Sequence, residues 1–116
     1  MIRSRDPLPY LQDILDCITR IKRYTQEVDV EAFMNNEILQ DAIVRRIEII
    51  GEAVGCLPDS LKSRYPDIPW QDIKDMRNKL IHDYGHVDLE LVWGVVQNEI
   101  PELEIQVRRV MDEYIC

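Results

Sequence analysis

Glycine is scarce in this 116-residue chain, four in all, and cysteine is scarcer, at Cys17, Cys56 and Cys116 only. An odd, scattered set of thiols with no CxxC pair indicates neither a disulfide framework nor a zinc site, and it reads as reduced, mostly buried side chains. Six prolines beside so few glycines leave no composition for a flexible linker, a low-complexity tract or a collagen-like repeat. No apolar run approaches the ~18–20 residues that a membrane span needs. The opening MIRSRDPLPY has basic residues but no apolar stretch behind them, as a secretory leader would require. A cytoplasmic protein without membrane contact is the expectation. Positive charge is also in deficit, with 14 Lys and Arg against 22 Asp and Glu and a formal net charge of −8. That surplus opposes broad adhesion to polyanions. Any RNA contact must therefore rest on a local basic site, and DNA is not an expected partner.

What is present is helical periodicity. Hydrophobic residues make up 46% of the chain and recur at three and four, with no stretch that alternates strictly over strand lengths. Asp6 and Pro7 are placed as N-cap and N1 of a first helix whose stripe is Leu8, Leu11, Ile14, Leu15, Ile18 and Ile21, ending near Tyr24. A second helical region starts after Asp29, pauses at Asn35 and Asn36, and runs through Ile43, Ile47 and Ile50 toward Leu57. Gly51 and Gly55 lie four apart in it, which predicts a close helix contact, since glycine otherwise costs about 1 kcal/mol in a helix interior. Asp59 starts a short helix among Pro58, Pro66 and Pro69. Trp70 opens a third main helix through Ile73, Met76, Leu80 and Ile81, with Gly85 as its C-cap. Asp88 caps the last one, which carries Leu89, Val92, Trp93, Val96, Ile100, Leu103, Ile105, Val107 and Val110, and Pro101 is expected to kink or split it. The length suits one domain over residues 1–116. The fold class is all-α, a bundle of four to five helices with negligible strand, expected to dimerise through an apolar helix face.

The chemistry concentrates in Arg77-Asn78-Lys79-Leu80-Ile81-His82-Asp83-Tyr84-Gly85-His86, which gathers a guanidinium, an amide, an ammonium, imidazoles and a phenol at a helix end. On an unbroken helix Arg77 and Tyr84 share a face whereas His82 and Tyr84 point apart. For Arg77, His82 and Tyr84 to line one site, the helix must unwind near His82. A cation that close to the apolar stripe must be paired or face a cleft. Asp75 or Asp83 could pair with it and leave His82 and Tyr84 merely closing the helix, or Glu52 could reach it from the glycine-containing helix. Lys74, Arg77 and Lys79 form the local positive cluster. Asn78 could orient His82 or a phosphate oxygen, or make an ordinary helix-terminal bond. His86 reads as an exposed loop histidine, and Trp70 and Trp93 as core or dimer anchors rather than base-stacking platforms. No acidic spacing suits a metal.

Over nearly the whole chain the sequence resembles the HepT branch of the HEPN superfamily. The segments that carry the resemblance are Asp-Pro-x-x-Tyr-Leu-x-Asp-Ile-Leu at 6–15, Ile-Ile-Gly-Glu-Ala at 49–53, Arg-Tyr-Pro-x-Ile-Pro-Trp at 64–70, Met-Arg-Asn-x-Leu-Ile-His-x-Tyr at 76–84 and Val-Asp-x-Glu-x-Val-Trp at 87–93. The resemblance implies a dimeric HEPN-type helical bundle and the toxin of a type VII-like toxin–antitoxin pair. It implies a metal-independent endoribonuclease acting on cellular RNA such as tRNA or mRNA, with no cofactor. Its Arg-x4-His-x-Tyr site falls on Arg77 and His82 as catalytic residues, with Asn78 and Lys79 in support. Tyr84 is then the residue to which an MntA-like minimal nucleotidyltransferase, the antitoxin, transfers AMP, and the two proteins are expected to assemble together. A second reading, from another class, is a non-catalytic helical subunit that presents nucleotide or substrate to a nucleotidyltransferase. A third is a plain interaction module.

Overall fold

The computed structural model describes residues 6–82 and 86–115, with the side chain of His82 outside that description. The first helix, α1, runs Leu8–Tyr24. Pro7 stands at the N-cap, one residue later than expected, with dihedrals already helical at φ −74° and ψ −19°, and the Asp6 carboxylate accepts from the Leu8 amide at 3.0 Å, so Asp6 still satisfies the first turn. A one-turn α2, Val30–Met34, precedes the long α3, Glu37–Cys56. Their starts are fixed by side chains that satisfy amides left orphaned at a helix N-terminus: Asp29 accepts from Ala32 and Asn36 from Leu39. After Pro58 comes α4, Asp59–Ser63.

The predicted third helix is in fact two short ones, α5 (Trp70–Lys74) and α6 (Met76–Leu80). Asp75, at φ −90° and ψ 1°, interrupts the spiral, and its carbonyl then takes the amides of Asn78 and Lys79. The helix also ends earlier than predicted. Ile81 is extended, and Ile81–His82 (β1) pairs antiparallel with His86–Val87 (β2), in the register Ile81↔Val87 and His82↔His86. Gly85, the predicted cap, lies outside the described residues, as do Asp83 and Tyr84. A 2.7 Å bond from the Asp88 amide to the Leu80 carbonyl closes the ribbon onto the helix end.

Asp88 then caps α7, Leu89–Gly94, through the Leu91 amide. A π turn, Val95–Glu99, leads into α8, Ile100–Ile115. Proline has no N–H to give the carbonyl four residues back, and its ring crowds that carbonyl. A widened turn just before Pro101 accommodates both, so the last helix is split where expected.

With each interrupted helix taken as one rod, four rods make the bundle. α1 packs along α3 and α8, while α5 and α6 lie against α3, and α7 against α2 and α6. The core is three stripes at helical spacing: Leu11, Ile14, Ile18 and Ile21 from α1, Ile43, Ile47, Ile50 and Val54 from α3, and Ile100, Leu103, Val107 and Val110 from α8. Ile105 does not join them; it is two residues from both Leu103 and Val107, so it faces outward and is 72% exposed. Phe33 plugs one end with its ring 5.1 Å from that of Trp93. Trp70 is buried, its indole N–H shared between the carbonyls of Lys62 and Tyr65. Among the described residues no polar or charged residue is buried, and no helix is long and apolar enough to cross a membrane.

Candidate active site

The site is assembled around α6, a helix of only 5 residues. So short a segment has no stability of its own, and its placement comes from packing. Met76 and Leu80 are buried, and α3 approaches the preceding turn closely. A Cβ built on Gly51 would stand 3.0 Å from the Lys74 carbonyl oxygen and 3.5 Å from that of Ile73. The glycine pair therefore marks a close contact, as its spacing predicts.

That contact presents Arg77 to α3. Its Nε lies 3.3 Å from Oε2 of Glu48, with the Arg77 side chain 51% and the Glu48 side chain 25% exposed. The cation is thus paired and open to solvent at once, and the partner is Glu48, not Asp75 or Glu52. Glu48 and Glu52 are one turn apart on α3, so sequence alone does not choose between them; the register set at Gly51 does.

Lys74 lies along the same helix, its Cε 3.5 Å from a Cβ built on Gly55. Lys79 diverges from both. Two residues along a helix from Arg77 and so on its far side, Lys79 has its Nζ 3.5 Å from Asp72. The expected three-cation cluster is therefore divided between two faces. Asn78 is exposed, and its backbone N–H donates to the Asp75 carbonyl. The helix does unwind before His82, whose backbone follows α6 directly in β1 with His86 as its Cα partner. His86 is exposed, but it stands in a strand, not in a free loop. Tyr84 lies outside the described residues.

A cavity lies on the Lys79 side. It is a groove of about 520 Å³ between α5–α6 and α7–α8, floored by Ile73, Met76, Leu80, Val95 and Leu103 and rimmed by Asp67, Asp72, Glu99 and Glu102. Carboxylates on that rim repel a phosphate backbone, whereas Arg77 keeps half of its side chain in solvent on the α3 side. Among the described residues no group of three His, Cys, Asp or Glu side chains is arranged to hold a metal ion.

A family model described as "Ribonuclease HepT-like" matches residues 14–110. The chain belongs to the HepT-like ribonuclease family. It is 41% identical to "Probable ribonuclease HepT" of Thermococcus cleftensis, over 87% of this chain and 92% of that one. It is 38% identical to "Putative RNase MJ0125" of Methanocaldococcus jannaschii, over 95% of each. A third relative from the same archaeon, "Gamma-glutamylcyclotransferase and putative RNase MJ0434", is 42% identical over 94% of this chain, and the chain spans 49% of its length. No solved structure matches. HepT-like membership agrees with the helical bundle.

Proposed function

We propose that this HepT-like protein is a metal-independent endoribonuclease and the toxin of a toxin–antitoxin pair, with Arg77 and His82 as its catalytic residues. The observation that supports it most is Arg77 itself, a half-exposed guanidinium at the mouth of a helix that unwinds into the backbone of His82. RNA cleavage without metal has the 2′-oxygen attack phosphorus while the bond to the 5′-oxygen breaks, leaving a 2′,3′-cyclic phosphate and a 5′-hydroxyl. A base must take the 2′-OH proton, an acid must protonate the departing 5′-oxygen, and a cation must hold the charge on the phosphorane. Imidazole, with an ordinary pKa near 6.5, suits both proton transfers, and Arg77 supplies a forked, permanently charged donor. One imidazole does not serve as acid and base at the same moment. A twofold dimer that brings two copies of Arg77 and His82 across one cleft supplies both.

Tyr84 is the proposed control point: on a partner MntA-like nucleotidyltransferase its phenol oxygen, losing its proton, attacks the α-phosphorus of ATP, and pyrophosphate leaves as the new O–P bond forms. AMP on the phenol replaces a neutral hydroxyl with a bulky, negatively charged phosphodiester close in sequence to Arg77 and His82. Its phosphate competes with RNA for the guanidinium.

The deciding experiment is RNA cleavage by purified wild type beside Arg77→Ala and His82→Ala, with and without EDTA. Wild type is expected to cleave in EDTA, and each variant to lose about 10²–10⁴-fold in rate while remaining folded. Full activity in His82→Ala, or loss of wild-type cleavage in EDTA, overturns the mechanism. A folded wild type that cleaves no RNA favours the non-catalytic, substrate-presenting subunit. Protein made with its partner should gain about 329 Da per AMP. That mass should map to Tyr84, and Tyr84→Phe should still cleave while escaping neutralisation.

A further inference from the structure

We propose that Glu48 is a positioning residue for Arg77, holding the Nε side of the guanidinium so that its outer edge faces the phosphate; this rests on the ribonuclease reading above. Arg77 needs such a support. It is a long, rotamer-rich side chain on a 5-residue helix, and half of it is in solvent. Glu48 has the opposite character. It stands in the 20-residue α3, between Ile47 at 1% exposure and the fully buried Ile50, one position past Ile47 and three before Gly51. Gly51 in turn is where α3 meets the carbonyls of Ile73 and Lys74. The same contact that sets the height of α6 therefore sets the distance from Glu48 to Arg77.

The geometry of the pair leaves Arg77 usable. The closest approach is at Nε, 3.3 Å from Oε2, and a carboxylate on that side leaves the edge formed by the two terminal nitrogens available for a bidentate phosphate contact. The charge makes the case from the other direction. In a chain of net charge −8, a carboxylate beside the phosphate-binding cation weakens attraction for RNA. If Arg77 served binding alone, Glu48 would only subtract from it. Orientation is what remains for it to contribute, and orientation is realised in the rate of the bound complex.

The two roles predict opposite kinetics for Glu48→Gln, which keeps the side chain's size and removes its charge. Positioning predicts that kcat falls about 10²-fold, the order expected for a misplaced group, while KM stays the same or decreases. The loss should disappear when Glu48→Gln is placed in an Arg77→Ala background, and Glu48→Asp should recover part of it. Independently of activity, the Arg77 Nε–Hε group should show restricted motion by NMR relaxation in wild type, as the 3.3 Å ion pair to Glu48 holds it, and should become more mobile in Glu48→Gln. Unchanged kcat in Glu48→Gln, a loss that persists in the Arg77→Ala background, or an Arg77 Nε–Hε signal indifferent to the substitution overturns the proposal. If wild type cleaves no RNA at all, the ribonuclease reading fails and the catalytic half of this inference with it. The Nε–Hε signal still decides the pairing.

Discussion

At the residue scale, the charged pairs of this molecule divide into those that shape the site and those that bind helices together, and Glu104 is the clearest of the second kind. Its carboxylate joins α1 to α8, with Lys22 Nζ at 3.0 Å from one oxygen and Arg108 Nη2 at 3.0 Å from the other, and its own side chain is 16% exposed. The hydrogen bond from Lys22, joined by that from Arg108, outweighs the cost of partial burial and lowers the Glu104 pKa below the ordinary glutamate value. A carboxylate whose pKa is lower folded than unfolded adds stability above its unfolded pKa and loses it as pH falls through the folded one. Glu104→Gln should therefore destabilise the protein at pH 7 by on the order of 1 kcal/mol, the low end for charged hydrogen bonds because both cations are more than half exposed. Urea unfolding at pH 7 and again near pH 3 should show the gap between wild type and variant closing in acid. Tyr65 behaves inversely: burial and its 2.8 Å bond to Glu113 raise the phenol's pKa, so it stays a neutral donor to high pH. The sequence made Arg77 conspicuous, through its closeness to the Ile73, Met76 and Leu80 stripe. It did not make Glu48 conspicuous, because two glutamates one turn apart read alike until a neighbouring helix picks one.

At the element scale, the two glycines of α3 make opposite predictions. A methyl at Gly51 meets the Lys74 carbonyl at 3.0 Å, and a backbone oxygen at a helix end has little room to retreat; a methyl at Gly55 meets only the flexible Lys74 side chain, at 3.5 Å. Alanine gains up to about 1 kcal/mol over glycine in a helix interior. Gly55→Ala should realise most of that as a higher melting temperature. Gly51→Ala should lose it and more by prising α5 and α6 from α3, and it should lower RNA cleavage as well, since Arg77 moves with α6. Thermal melts of both variants beside wild type, followed by the cleavage assay, check the contrast. A Gly51→Ala protein as stable and as active as wild type would contradict it. Elements bounded by local chemistry were legible in the sequence: helices start after Asp29 and after the pause at Asn36, Asp88 caps the helix it was expected to cap, and Pro101 splits the last one. The break at Asp75 was not, because nothing in Trp70–Leu80 disfavours a continuous helix.

At the scale of the whole molecule, the negative surface restricts how RNA can be held. With the rim of the large groove acidic and Lys79 committed to Asp72, few phosphates can be contacted, so binding should release few counterions. Single-stranded binding loses about 0.7 of a log unit in affinity per log unit of salt for each phosphate neutralised. A dimer using two copies of Arg77 should therefore give a slope of about −1 to −2 in RNA affinity against salt. A slope steeper than about −4 would mean a basic surface elsewhere. Sedimentation at micromolar concentration should find that dimer, and a strict monomer would leave a single imidazole to do the work of two.

The bundle's architecture, with its three apolar stripes, was readable from periodicity, whereas the groove was not, since it arises between rods whose spacing no local pattern specifies. The brevity of α6 has a dynamic corollary. Its amides are held by one short turn, by the carbonyl of Asp75 and by the ribbon that the Asp88–Leu80 bond closes, while α1 and α3 span 17 and 20 residues. The helix that carries Arg77 is therefore expected to open and reclose while the stripes of α1 and α3 stay shut. Amide hydrogens from Met76 to His82 should exchange with deuterium at a free energy well below that of global unfolding, and those of Ile14, Ile18, Ile47 and Ile50 only with the whole protein. The molecule would then carry its chemistry on its least cooperative segment, bolted to its most cooperative one.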